Sequence, residues 1–114
     1  MAREKNFENR IKKYLKDNKC WFIKYWAGAA FTKTGIPDLL ICCNGYFVAV
    51  EVKAPNGTAS ELQQYNLRKI NEACGIGIVL YPDQFDDFKY MMQCLIDGRE
   101  MEAWKTTAKI NRRE

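Results

Sequence analysis

The sequence contains no histidine among its 114 residues, and this absence removes several classes of catalytic site. A serine or cysteine nucleophile activated by histidine is excluded, and a zinc site would need a cluster of thiolates. The five cysteines are odd in number and show no CxxC spacing, so we expect them to be reduced and buried. Cys42 and Cys43 are neighbours on a predicted strand and point to opposite faces, which makes chelation of one metal difficult.

Long apolar runs are also lacking. No stretch reaches the roughly 18 apolar residues of a membrane span, and residues 1–19 are charged throughout, unlike a signal peptide. We therefore expect a soluble, cytoplasmic protein with no membrane partner. Hydrophobic residues make up 47% of the chain, which is enough for one core but hardly for two domains. We expect a single domain over residues 1–98, followed by a basic tail or an extra helix over residues 99–114.

Charge is distributed unevenly along the chain. Residues 1–35 hold nine lysines and arginines against three acids, residues 36–98 hold four against eight, and residues 99–114 hold five against three. A basic N-terminal third suits a polyanion, and an acidic centre suits cations that bridge to it. On charge alone, an ordinary solvated helix face explains Lys12, Lys13 and Lys16 equally well.

The hydrophobic pattern predicts an α/β protein in the order α-β-β-β-α-β-α. A parallel right-handed crossover is expected over residues 46–81, and Asn44-Gly45 predicts an antiparallel hairpin before it. Together they predict a mixed central sheet flanked by helices on both faces. In the tail, Met101 and Trp104 are the only clear apolar anchors. The predicted helices cover residues 3–18, 60–73 and 83–98, and the predicted strands cover 20–26, 38–43, 46–53 and 75–81.

The predicted two-residue turn at Asn44-Gly45 fixes the register of the hairpin. Cys43 then pairs with Tyr46, and the residue numbers of every cross-strand pair sum to 89. Asp38 and Glu51 therefore face each other, with Cβ atoms about 5 Å apart in a regular ladder. Lys53 lies two residues beyond Glu51 and points to the same face.

Two carboxylates this close repel each other unless a cation lies between them. Oxygen ligands from Asp38 and Glu51, with the Val52 carbonyl and waters, suit Mg²⁺ or Mn²⁺. A metal-activated water could attack a phosphodiester, with Lys53 orienting it or neutralising developing charge. The alternative is a surface pair of Glu51 and Lys53 with Asp38 as a turn residue, but the tight turn and the alignment across it favour a site.

These residues resemble a known pattern. Pro37-Asp38 followed by Glu51-Val52-Lys53 looks like the signature of the PD-(D/E)XK nuclease superfamily. The stretch "GIPDLLICCNGYFVAVEVKAPNGTASELQQYNL" further resembles the VRR-NUC branch, especially its stand-alone phage-type members, which are similar to Holliday junction resolvases. The resemblance implies a restriction-endonuclease-like fold with Asp38 and Glu51 as metal ligands and Lys53 as the catalytic lysine.

The same resemblance implies two supporting residues. One is a glutamate on the first helix, for which Glu8 is the first choice and Glu4 the second, although Glu8 could also be a solvated helix residue. The other is Gln63, which matches a glutamine of the VRR-NUC branch. Ser60 and Gln63 also form an S-x-x-Q capping box, which explains Gln63 without catalysis.

The resemblance implies a Mg²⁺-dependent, structure-specific DNA endonuclease, most simply a homodimer that resolves four-way junctions in a bacterial or phage-infected cell. The aromatic residues Trp21, Trp26, Phe31 and Tyr46 exceed what one small core obviously requires, although they could also be core residues. A nuclease for flaps, nicks or single strands, and a non-catalytic nucleic-acid-binding module, remain as alternatives. Contacts to DNA phosphates are expected from the loop at 27–34 and from Lys12, Lys13, Lys16, Lys24 and Lys33.

Overall fold

The computed structural model describes residues 2–26 and 33–113. The predicted loop at 27–34 falls largely outside this part of the chain, as does Phe31. The elements follow the predicted order, with one further helix at the C-terminus. They are α1 (Ala2–Asp17), β1 (Trp21–Lys24), β2 (Leu39–Cys43), β3 (Tyr46–Val52), α2 (Glu61–Glu72), β4 (Ile76–Leu80), α3 (Phe85–Ile96) and α4 (Glu100–Asn111), with a 3₁₀ turn at Pro82–Gln84 before α3.

The four strands form one mixed sheet in the order β1-β2-β3-β4. The first two pairings are antiparallel and the third, between β3 and β4, is parallel. Asn44 and Gly45 have φ values of 49° and 85°, the positive pair that a type I′ turn needs. Cys43 pairs with Tyr46, so the predicted register is confirmed. The mixed sheet flanked by helices agrees with a restriction-endonuclease-like fold.

Helices cover both faces of β3, which explains why this strand is apolar on both sides. Val48, Val50 and Val52 are fully buried and belong to the large core that α1, α3 and α4 share with the sheet. The other face packs against α2. A Cβ at Gly77, in the neighbouring strand, would lie 2.8 Å from the backbone oxygen of Leu67, so α2 reaches the sheet only because residue 77 has no side chain.

The segment after residue 98 forms α4, and its Ala103 and Ile110 lie in the main core. Trp104 is half-buried and packs edge-on against Tyr46, with ring centroids 6.3 Å apart. The prediction that Met101 anchors this segment is wrong, because Met101 is 69% exposed. The division of the chain at residue 98 stays a prediction.

All five cysteines are free, but the prediction that they are buried is wrong for two of them. Cys43 and Cys94 are buried, Cys20 is half-buried, and Cys42 and Cys74 are exposed. Cys42 is exposed because α2 leaves its side of the hairpin uncovered. No helix in the described residues is long and apolar enough to cross a membrane.

Candidate active site

The two carboxylates of the predicted site lie one step beyond the end of the β2–β3 ladder. The last pair in that ladder is Leu39 with Val50, so Asp38 and Glu51 follow directly on the two strands. Asp38 is fixed there by its Oδ2 atom, which accepts a 2.7 Å hydrogen bond from the Val52 N–H. The register set by the turn therefore brings both carboxylates to one end of the sheet.

Glu51 is a buried carboxylate with an unusual set of partners. It is only 2% exposed, and its Oε1 atom is buried with no hydrogen-bond partner in the described part of the chain. Its Oε2 atom accepts a 3.1 Å bond from Gln63 Nε2 and lies 3.3 Å from Lys53 Nζ. A buried carboxylate oxygen without a partner is rare and needs an explanation, such as a cation ligand.

Burial and a like charge change the protonation of Glu51. Desolvation, followed by the negative charge of Asp38, raises the pKa of Glu51 from 4.5 to about 8, and Lys53 only partly opposes this. Without a cation, burial and the charge of Asp38 therefore favour the protonated form of Glu51. A divalent ion beside it would favour the ionised form.

Gln63 forms the predicted capping box and also contacts Glu51, while its role in catalysis stays a prediction. Its Oε1 atom accepts from the Ser60 N–H at 2.8 Å while the Ser60 hydroxyl accepts from the Gln63 N–H at 3.1 Å, which completes the capping box of α2. The other end of the same amide donates to Glu51. One side chain thus ties the start of α2 to the carboxylate.

Glu8 is buried on α1 together with Ile11, so the alternative that it is a solvated helix residue is wrong. It forms ion pairs with Lys12 at 3.1 Å and with Lys24 at 2.7 Å. Burial raises the pKa of Glu8, but the hydrogen bonds from Lys24 and Lys12 outweigh it and leave the pKa below its ordinary value. Through Lys24, which also contacts Asp38, Glu8 is linked to the site, and the described contacts show no such link for Glu4.

Lys24 was predicted to contact DNA phosphates, but in the structure it lies among the carboxylates of the site. Its Nζ atom lies 2.7 Å from Glu8 Oε1 and 3.2 Å from Asp38 Oδ1, so one ammonium group bridges two carboxylates. Burial lowers the pKa of Lys24, but its bonds to Glu8 and Asp38 raise it overall. The pairing of Lys24 with Leu39 causes this placement, and a long connection between β1 and β2 gave no means to predict that pairing.

The other predicted DNA-contacting lysines differ in their surroundings. Lys12 contacts Glu8 and is therefore close to the site. Lys13 pairs with Asp17 at 2.8 Å on the exposed side of α1. Lys16 and Lys33 are exposed. Their contacts with DNA stay predictions.

The donor set fits a hard divalent cation. The described residues contain no group of three or more His, Cys, Asp and Glu side chains placed to hold a metal. Mg²⁺ does not need such a group, because it commonly binds one or two carboxylates and completes its shell with water and substrate phosphate. Asp38 and Glu51 provide that pair, and the free Glu51 Oε1 is available to it. A carbonyl ligand from Val52 stays a prediction.

The N-terminal two thirds of the chain match a family of known proteins. The family model described as "Archaeal holliday junction resolvase (hjc)" matches residues 1–74. This range runs from α1 to the turn after α2 and contains Glu8, Asp38, Glu51, Lys53 and Gln63. Neither a curated protein nor a solved structure matches the chain significantly. Because the matched range exceeds half of the sequence, the chain belongs to the archaeal Holliday junction resolvase (Hjc) family, which consists of PD-(D/E)XK-type nucleases.

Proposed function

We propose that this protein is a Mg²⁺- or Mn²⁺-dependent endonuclease that resolves four-way DNA junctions by hydrolysing phosphodiester bonds. The observation that carries the proposal is the buried Glu51 carboxylate, which has one unpartnered oxygen and lies beside Lys53 and Asp38. Such a cluster is unfavourable by itself and becomes favourable with a cation and a phosphate. Membership of the Hjc family supports the nuclease activity and the DNA substrate.

In this proposal Asp38 and Glu51 hold the cation. The Val52 N–H fixes one Asp38 oxygen, and the Gln63 amide fixes one Glu51 oxygen, so both carboxylates are oriented before any ligand arrives. Preorganised ligands reduce the reorganisation that binding would otherwise require. The chemistry supplied by a bound divalent cation is a lowered pKa of water and stabilisation of charge on the phosphate.

Lys53 acts on the phosphate. Its ammonium group is mostly enclosed and lies 3.3 Å from Glu51, at the same end of the sheet as Asp38. A fixed positive charge there neutralises developing negative charge in the transition state and helps to orient the nucleophile. Glu8 does not need to touch substrate, because it holds Lys24 and Lys12 and so positions the charges around Asp38.

A homodimer suits a four-way junction, which presents two equivalent strands to be cut. The surface that supports this is an apolar face on the sheet beside α2, on which Trp21, Cys42 and Phe47 are cross-strand neighbours and all exposed. A groove of ≈ 580 Å³ continues this face between the hairpin and α2. A second copy of the chain would cover both and place two sites on one junction.

DNA binding would depend on charge more than on sequence. Lys13, Lys16 and Lys33 are exposed, and Lys12 contacts Glu8 beside the site. Contacts of this kind bind phosphates without reading bases, so affinity should fall steeply with salt. The VRR-NUC branch and a bacterial or phage-infected host cell stay predictions from the sequence motifs.

The test uses labelled four-way junctions, flaps, linear duplex and single strands, each with Mg²⁺, Mn²⁺ or EDTA. We expect paired symmetric nicks in the junction, which disappear with EDTA and with Asp38→Asn. Glu61→Gln, an exposed change on α2, serves as the matched control and should cut normally. Cleavage of flaps or single strands instead would favour the alternative nuclease. Binding without any cleavage by the folded, metal-supplied protein would favour a non-catalytic module.

A further inference from the structure

Lys24 lies between the carboxylates of Glu8 and Asp38, whose negative charges would otherwise repel each other. Its ammonium group bridges Glu8 and Asp38, and its side chain is largely enclosed. Asp38 therefore has a donor on each oxygen, with Lys24 on Oδ1 and the Val52 N–H on Oδ2. Glu51 has a buried oxygen, Oε1, that accepts no hydrogen bond from the described part of the chain. The Lys24 ammonium group thus neutralises Asp38, which is also a proposed ligand of the divalent cation.

We propose that Lys24 is a displaceable internal cation, which neutralises Asp38 in the metal-free protein and leaves it when the divalent cation binds. The inference rests on the proposed role of Asp38 as a metal ligand. An ammonium group and a divalent cation on the same carboxylate repel each other, so each weakens the hold of the other. Metal binding and the Lys24–Asp38 contact therefore oppose each other.

The surroundings of Lys24 give the displaced ammonium group a place to stay. Its bond to Glu8, at 2.7 Å, is shorter than its 3.2 Å bond to Asp38. The centroid of the Trp26 ring lies 5.4 Å from Nζ, which is within the range of a cation–π interaction. The flexible four-carbon stem of lysine allows a small swing toward these two partners. Lys24 then remains a counter-ion of Glu8 while Asp38 is released.

If Lys24 were instead a permanent structural bridge between Glu8 and Asp38, its removal would have the opposite effect on metal affinity. If Lys24 only held Asp38 in position, removing the ammonium group would disorder that carboxylate and weaken metal binding. If Lys24 competes with the metal, removing it strengthens metal binding. Even at the dielectric constant of water, a divalent and a monovalent cation about 6 Å apart lower each other's affinity by about tenfold. The sign of the change in metal affinity therefore separates the two roles.

The experiment is a calorimetric titration of the DNA-free protein with Mn²⁺, together with the melting temperature of the metal-free protein. We expect Lys24→Met to bind Mn²⁺ at least about tenfold more tightly than wild type and to melt lower without metal. Lys24→Arg keeps the charge and should bind Mn²⁺ like wild type. Lys105→Met removes the same charge from an exposed position on α4 and should change neither quantity.

Other results would overturn the inference. Unchanged or weaker Mn²⁺ binding in folded Lys24→Met makes Lys24 a fixed bridge, while the metal site itself stands as long as Asp38→Asn abolishes binding. If Lys24→Met does not fold, Lys24→Gln replaces it, because the amide can still donate to a carboxylate without carrying charge. Absence of Mn²⁺ binding in wild type and in every variant would remove the proposed metal site, and this inference with it.

Discussion

Glu51 should make the metal-free protein less stable as the pH rises through neutrality. Its pKa is about 8 in the folded protein and near 4.5 in the unfolded chain, so the folded state holds the proton more tightly. A group with a raised folded-state pKa contributes stability that is fully present below the unfolded pKa and is lost as pH rises through the folded pKa. At about 1.4 kcal/mol per pKa unit, the total is about 5 kcal/mol, of which about 4 kcal/mol is lost between pH 5 and pH 8.5.

Few other groups interfere in this pH range. The chain has no histidine, and the lowered pKa of Glu8 affects stability only at more acidic pH. Desolvation raises the pKa values of the thiols of half-buried Cys20 and buried Cys43, which therefore titrate in more alkaline solution. The slope of stability between pH 5 and pH 8.5 should therefore come mainly from Glu51.

The perturbation is Glu51→Gln, a neutral side chain of the same shape that can still accept from Gln63. In urea unfolding with EDTA, wild type should lose about 4 kcal/mol between pH 5 and pH 8.5, whereas Glu51→Gln should stay nearly constant. The exposed change Glu72→Gln is the matched control and should follow wild type. Equal pH dependence in wild type and Glu51→Gln would refute the reasoning. Adding Mg²⁺ to wild type at pH 8.5 should restore part of the loss.

Three further predictions concern other parts of the molecule. Lys53→Ala should keep its fold and its Mn²⁺ affinity but lose about 10²- to 10³-fold in single-turnover cleavage, and loss of folding by circular dichroism would make Lys53 structural. Gly77→Ala should destabilise the protein by about 1–3 kcal/mol in urea unfolding, since its Cβ would meet the backbone of Leu67, and no change would mean that α2 can shift outward. Trp21→Glu with Phe47→Glu should convert a dimer to a monomer in light scattering, while an unaltered mass would exclude this face from the interface.

The sequence predicted the part of the site that one tight turn controls. Asn44-Gly45 allows a single two-residue loop, so the positions of Asp38, Glu51 and Lys53 relative to one another followed from counting residues. The capping box at Ser60 likewise followed from local spacing. In these cases the interaction that determines the structure lies within a few residues along the chain.

The features that the sequence did not predict depend on packing between distant segments, and local residue spacing does not specify that packing. Lys24 enters the site through the pairing of β1 with β2, and the connection between those strands is too long to set a register. Cys42 is exposed because α2 covers only part of the sheet, although its strand is apolar on both faces. Met101 was predicted to anchor the C-terminal segment, but α4 presents Ala103 and Ile110 to the core instead.

The most direct test of the central claim is single-turnover cleavage of a four-way junction in Mg²⁺ at pH 8 by wild type and Glu51→Gln. We expect paired nicks by wild type and a rate about 10³-fold lower for Glu51→Gln, although without metal that variant is the more stable protein at this pH. A variant that is both more stable and inactive would show that Glu51 is kept for its chemistry. Cleavage by Glu51→Gln at the wild-type rate would contradict the account.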